Sequence, residues 1–128
     1  MPKILTIDDE VEFTNTIRDY FSPRGYTVFT ALSGEDGLDI ARRELPDVVL
    51  LDLKMPGIDG DEVLKRIKQM HPSVKPIMIT AFQDDDGKTK NHIMSIGVYA
   101  YFEKPISSMR KLEETIKAAL GSGKGTDI

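Results

Sequence analysis

The chain has 128 residues, 40% of them hydrophobic, and a formal net charge of −4, a size that suits one compact domain and a balance that argues against direct binding to nucleic acid or to an anionic membrane. The absence of cysteine excludes disulfides, thiolate metal sites and thiol catalysis. The opening MPKILTIDDE lacks the apolar region of a signal peptide, and no apolar run approaches the roughly 18 residues of a membrane span, so a cytoplasmic location is expected.

The run Lys3–Ile7 reads as a first strand ending in Asp8 and Asp9, followed by a helix with Phe13, Ile17, Tyr20 and Phe21 at helical spacing. A break at Gly25 leads to a second strand over 26–30. Ser33 is placed to cap a second helix carrying Leu38, Ala41 and Leu45, which Pro46 stops. Gly34 and Gly37 weaken that helix, Gly37 by about 1 kcal/mol relative to Ala in the interior. Val48–Leu51 is an unbroken aliphatic run, the pattern of a strand buried on both faces. A turn rich in Pro, Gly and Asp follows. Val63, Leu64, Ile67 and Met70 mark a third helix that ends at His71 and Pro72.

Residues 76–80, PIMIT, give the fourth strand. The span 84–96 predicts a fourth helix anchored by Ile93 and Met94 and stopped by Gly97, with Asp84, Asp85 and Asp86 capping its positive end. YAYF, 99–102, is the fifth strand, and 107–120 the last helix, with Leu112, Ile116, Ala119 and Leu120 on one side. Residues 1–120 then form the domain, and GSGKGTDI, 121–128, is expected to be a flexible tail or linker.

Five strands alternating with five helices predict an α/β fold, a doubly wound five-stranded parallel sheet of flavodoxin-like (βα)5 type, because parallel neighbours need right-handed helical crossovers. Ligands of such sheets bind beyond the carboxyl ends of the strands, where strand order reverses. At those ends lie Asp8 and Asp9, Asp52, Thr80, and then Lys104 and Pro105. Two carboxylates about 4 Å apart repel by on the order of 4 kcal/mol at an effective dielectric near 20, so three together need a cation. A hard divalent ion such as Mg²⁺ answers that need, taking one or two protein carboxylates and completing its shell with phosphate oxygens and water. With one such ion and one lysine the site is formally neutral and ready for a phosphoryl group.

The acidic pair in LTIDDE, the run PDVVLLDLKMPGIDG, the strand IMITA and the triplet EKP occur in this order over nearly the whole chain. In these motifs the chain resembles the response-regulator receiver domains of two-component signalling. The resemblance implies that Asp52 accepts a phosphoryl group from a histidine kinase or phosphotransfer protein. It implies that Asp8, Asp9, Asp52 and the backbone carbonyl of Lys54 hold Mg²⁺ or Mn²⁺. Thr80 and Lys104 would contact the phosphoryl group as catalytic residues, and the peptide between Lys104 and Pro105 would be cis. The output would run through a switch made of Thr80 and Tyr101 to the face of the fourth helix, fifth strand and fifth helix, which meets a downstream effector or forms a homodimer. Such a domain is no enzyme beyond its own phosphotransfer, and it needs no histidine of its own, so His71 and His92 read as surface residues.

Other classes fit less well. A haloacid-dehalogenase-like phosphatase needs a second acid two residues after its nucleophile, where Lys54 stands. A flavodoxin-like binder needs a phosphate-cradling loop where IDDE would repel phosphate. A phosphorylation-independent receiver-like interaction module would be expected to lack site residues, and none is missing.

Overall fold

The computed structural model describes residues 1–81 and 87–125, with side chains through residue 121. Its elements are β1 (Lys3–Ile7), α1 (Val11–Phe21), a 3-10 turn (Ser22–Arg24), β2 (Thr27–Ala31), α2 (Gly34–Glu44), β3 (Val48–Leu51), α3 (Gly60–Met70), β4 (Lys75–Thr80), α4 (Lys88–Ile96), β5 (Ala100–Glu103) and α5 (Met109–Gly125). The five strands form one parallel sheet in the order β2-β1-β3-β4-β5.

Alternation along the strands divides the core in two. Leu5, Ile7, Val49, Leu51 and Met78 point to one face, against Leu38 and Ala41 of α2, Val63, Leu64 and Ile67 of α3 and Ile93 of α4. Ile4, Val48, Leu50, Ile77 and Ile79 point to the other, against Ile17 and Phe21 of α1 and Leu112 and Ile116 of α5. All four residues of β3 are buried, as its unbroken aliphatic run requires. Ser33 caps α2 by accepting the Asp36 N–H at 3.1 Å. The two glycines of α2 are explained by packing: a Cβ on Gly37 would stand 2.4 Å from Cδ1 of Ile7, so the helix lies directly on β1.

Several boundaries differ from expectation. Strand β2 begins one residue later because Tyr26 belongs to the turn, its ring edge-on to Phe21 at 5.3 Å and its N–H donating to the Phe21 carbonyl. Helix α4 begins at Lys88 after Gly87, and the capping role expected of Asp84, Asp85 and Asp86 lies outside the described residues. Ile93 is fully buried, but Met94 is 43% exposed and anchors nothing. Adjacent helical residues point about 100° apart, and on this short helix Ile93 takes the sheet-facing direction while Met94 turns to solvent. Gly97 does end α4, with φ 113°. Helix α5 starts at Met109 because the Ser108 hydroxyl accepts the Lys111 N–H at 3.1 Å. It continues through Gly125, into the segment expected as tail.

Candidate functional site

The sheet order reverses between β1 and β3, and their register pairs Ile7 with Leu51, so the next residues, Asp8 and Asp52, emerge side by side. Each strand end is tied to its neighbour by a backbone hydrogen bond. The Asp8 N–H donates to the Ala31 carbonyl at 3.0 Å, the Asp52 N–H to the Ile7 carbonyl at 3.0 Å, and the Lys104 N–H to the Thr80 carbonyl at 2.9 Å. Residues far apart in sequence are thereby fixed around one cleft of about 430 Å³, lined by Asp9, Glu10, Asp52, Lys54, Thr80 and Lys104 among others.

Asp8, Asp9 and Asp52 each offer a carboxylate oxygen, and these atoms lie within 4.8 Å of one another. Asp8 is 1% exposed and Asp52 7%, whereas Asp9 reaches solvent. The Lys104 side chain is also nearly buried, at 9% exposure. Its Nζ donates to Asp8 Oδ2 at 2.6 Å and to Glu10 Oε1 at 2.5 Å, and stands 3.7 Å from Asp52 Oδ2. The ring of Phe13 packs beneath the ammonium at 4.5 Å. The other Asp8 oxygen accepts the Glu10 N–H at 2.9 Å, and Asp52 Oδ1 accepts the Lys54 N–H at 3.3 Å.

Burial pushes the Asp8 carboxyl above its ordinary range and the nearby Asp52 charge adds to this, outweighing the hydrogen bonds from Lys104 and the Glu10 amide that pull it down. Burial pulls the Lys104 ammonium down, but its hydrogen bonds to Asp8 and Glu10, with the charges of Asp8 and Asp52, more than reverse this and leave it raised. Desolvated carboxylates and one ammonium are thus held together in a poorly screened pocket.

Thr80 is fully buried at the end of β4, and Tyr101 is half-buried on β5 with the Lys90 ammonium 5.1 Å from its ring centre. The Lys104–Pro105 peptide is cis. His71 Nε2 lies 2.9 Å from the Pro46 carbonyl, and half-exposed His92 faces Asp61 at 3.5 Å, both away from the cleft.

Sequence reasoning missed Glu10 and Gly60. Glu10 is the N-cap of α1, yet its side chain makes no capping bond and crosses to Lys104. A glutamate at a position that favours shorter polar residues was the available signal. Gly60 opens α3 where a Cβ would stand 2.7 Å from the backbone carbonyl oxygens of Asp52 and Leu53, a contact that no local pattern announces.

A five-stranded parallel α/β domain with three carboxylates and a nearly buried lysine at its switch point has the architecture of a phosphoacceptor signalling domain. The chain belongs to the response regulator receiver domain family, whose model matches residues 4–117. It is 35% identical over 118 residues to sporulation initiation phosphotransferase F of Bacillus subtilis, covering 92% of this chain and 93% of that protein. It is 36% identical over 123 residues to the transcriptional regulatory protein AfsQ1 of Streptomyces coelicolor, covering 96% of this chain but only 53% of that protein. Among solved structures, the CheY-like response regulator receiver domain protein of Methanospirillum hungatei superposes with a TM-score of 0.89 at 27% identity, each chain covered to 98%. The chain thus spans nearly all of one curated relative and about half of a transcriptional regulator. Among the described residues, no helix is long and apolar enough to cross a membrane.

Proposed function

We propose that the chain is the receiver of a two-component phosphorelay in which Asp52 takes a phosphoryl group from the phosphohistidine of a kinase or phosphotransfer protein. The observation that carries this reading is the convergence on Asp52: it ends a buried strand, with Asp8 and Asp9 oxygens within 4.8 Å and Lys104 Nζ at 3.7 Å. An Asp52 oxygen attacks phosphorus, the P–N bond breaks, and its electron pair leaves with the imidazole. Because β3 fixes the aspartate, the protein contributes mainly positioning and electrostatic stabilisation.

The donor set fits a divalent ion. Asp8, Glu10 and Asp52 each lie within 4 Å of the Lys104 ammonium, and the three aspartates Asp8, Asp9 and Asp52 present clustered hard oxygen atoms. Asp8, Asp9 and Asp52 with the carbonyl of Lys54 would hold Mg²⁺ or Mn²⁺, which when bound offsets negative charge on the phosphoryl oxygens. Lys104 offsets part of the remaining charge, and Thr80 offers a hydroxyl at the same cleft.

Signal output would leave by Thr80 and Tyr101 to the face of α4, β5 and α5, there meeting an effector or a second copy. Residues 1–120 would act as the receiver and 121–128 as its connection or end. Acetyl phosphate with Mg²⁺ tests the reading: intact-mass measurement should find one phosphoryl group, stable to acid and labile to base, that Asp52→Asn lacks. Full labelling of Asp52→Asn would put the acceptor elsewhere, and no labelling of the wild type by acetyl phosphate or any phosphohistidine donor would favour a phosphorylation-independent interaction module.

A further inference from the structure

We infer that Glu10 is a positioning residue for Lys104: an internal anion that occupies the ammonium until the phosphoryl group displaces it, and so sets the rate at which Asp52 is charged. The inference rests on the proposed phosphorylation of Asp52. Lys104 has two close carboxylate partners of opposite character. Asp8 is 1% exposed, and its second oxygen is already engaged by the Glu10 amide, so releasing it would leave a buried charge short of a partner. The Glu10 side chain is 63% exposed and loses little when it returns to water. When a phosphoryl group arrives beside Asp52, Glu10 is therefore the partner that yields.

The local backbone supports this role. As N-cap of α1, Glu10 would ordinarily turn its side chain back to the free N–H groups of the first turn, but it makes no such bond. Its amide instead holds Asp8 and its carboxylate holds Lys104, so one residue fixes both. The Phe13 ring, one turn along α1, lies under the same ammonium and keeps it from swinging toward solvent. Lys104 is thus held ready, short of Asp52, by a contact that phosphate oxygens can replace with a stronger one.

Glu10→Gln keeps the shape but weakens the grip on Lys104, and Glu12→Gln removes an equal charge two residues away on the exposed side of α1 without touching Lys104. Labelling by acetyl phosphate at fixed Mg²⁺ should be on the order of threefold to tenfold faster for Glu10→Gln and near wild type for Glu12→Gln, with Asp52→Asn as the unlabelled control. A second readout needs neither metal nor phosphate. In the metal-free protein, the Lys104 ammonium should give a slowly exchanging ¹⁵N resonance that weakens in Glu10→Gln and persists in Glu12→Gln. Equal effects of the two glutamine variants, or a Lys104 resonance indifferent to Glu10, would overturn the inference even with Asp52 labelled normally. Failure of the wild type to label would instead overturn the phosphoacceptor reading beneath it.

Discussion

Gly60→Ala tests how closely the scaffold is fitted under Asp52. The added Cβ would stand 2.7 Å from the carbonyl oxygens of Asp52 and Leu53 and 2.8 Å from the Leu53 Cα. All three are backbone atoms, so no rotamer change relieves the contact, and α3 or the segment after β3 must move. Overpacking of this kind costs about 1–3 kcal/mol, while replacing glycine in a helix returns at most about 1 kcal/mol. A net loss of about 1 kcal/mol lowers the melting temperature of a domain this size by about 3–5 °C. Because the displaced peptide carries the proposed acceptor, acetyl phosphate labelling should also slow. The control is Gly121→Ala, also helical but with nothing within 4 Å of its Cβ, which should hold or raise stability. If Gly60→Ala melted within about 1 °C of wild type and labelled at the same rate, the tight approach of α3 would not constrain the site.

For Asp9→Ala, Mg²⁺ affinity should fall by more than about tenfold while the metal-free protein melts higher, since like charges within 4.8 Å cost on the order of 1 kcal/mol near solvent; an unchanged Mg²⁺ titration would place the ion elsewhere. Asp8 binds its proton more tightly folded than unfolded, so the stability it contributes is present below its ordinary value of 3.8 and is lost as pH rises through its raised value. The metal-free stability of Asp8→Asn should therefore gain on wild type as pH rises from about 4 to 7, measured by urea unfolding, and Mg²⁺ should narrow the gap. Thr80→Ala should still accept phosphate but show a weakened phosphorylation-dependent shift of the Tyr101 ring resonances; a full shift in that variant would send the signal by another route.

The fold was legible because its strongest signals are periodic or punctuated. The aliphatic run of β3, the Ser33 cap and the Gly97 stop each carry their physical cause in a few neighbouring residues. The errors fall where tertiary contact decides. Tyr26 has the β-propensity of a strand residue but packs on Phe21 in the turn, and Met94 fits the helical pattern yet loses the buried side of α4 to Ile93. The site was legible for a different reason: aspartates at strand ends are conspicuous, and the parallel topology alone brings Asp8 and Asp52 together. Glu10 escaped because its role depends on a lysine 94 positions away, and a charge beside two other charges looks like a solvated surface.

The backbone bonds at the strand ends separate what is fixed in this site from what can move. Asp8 and Asp52 are short side chains on residues tied directly to neighbouring strands, so their oxygens have little freedom. Lys104 and Glu10 have long side chains, which can exchange partners without disturbing the sheet. The Lys104 amide is bonded to the Thr80 carbonyl, and Thr80 pairs with Glu103 while Met78 pairs with Tyr101. A pull on the Lys104 ammonium or the Thr80 hydroxyl therefore acts on the same two-strand ladder that carries Tyr101. Beyond that ladder the Tyr101 ring meets Lys90 of α4, so a change in ring position is felt first on that helix. On the proposed reading, the rigid half of the site would set where phosphate binds, and the longer side chains joined to the β4–β5 edge would be the part able to report its arrival.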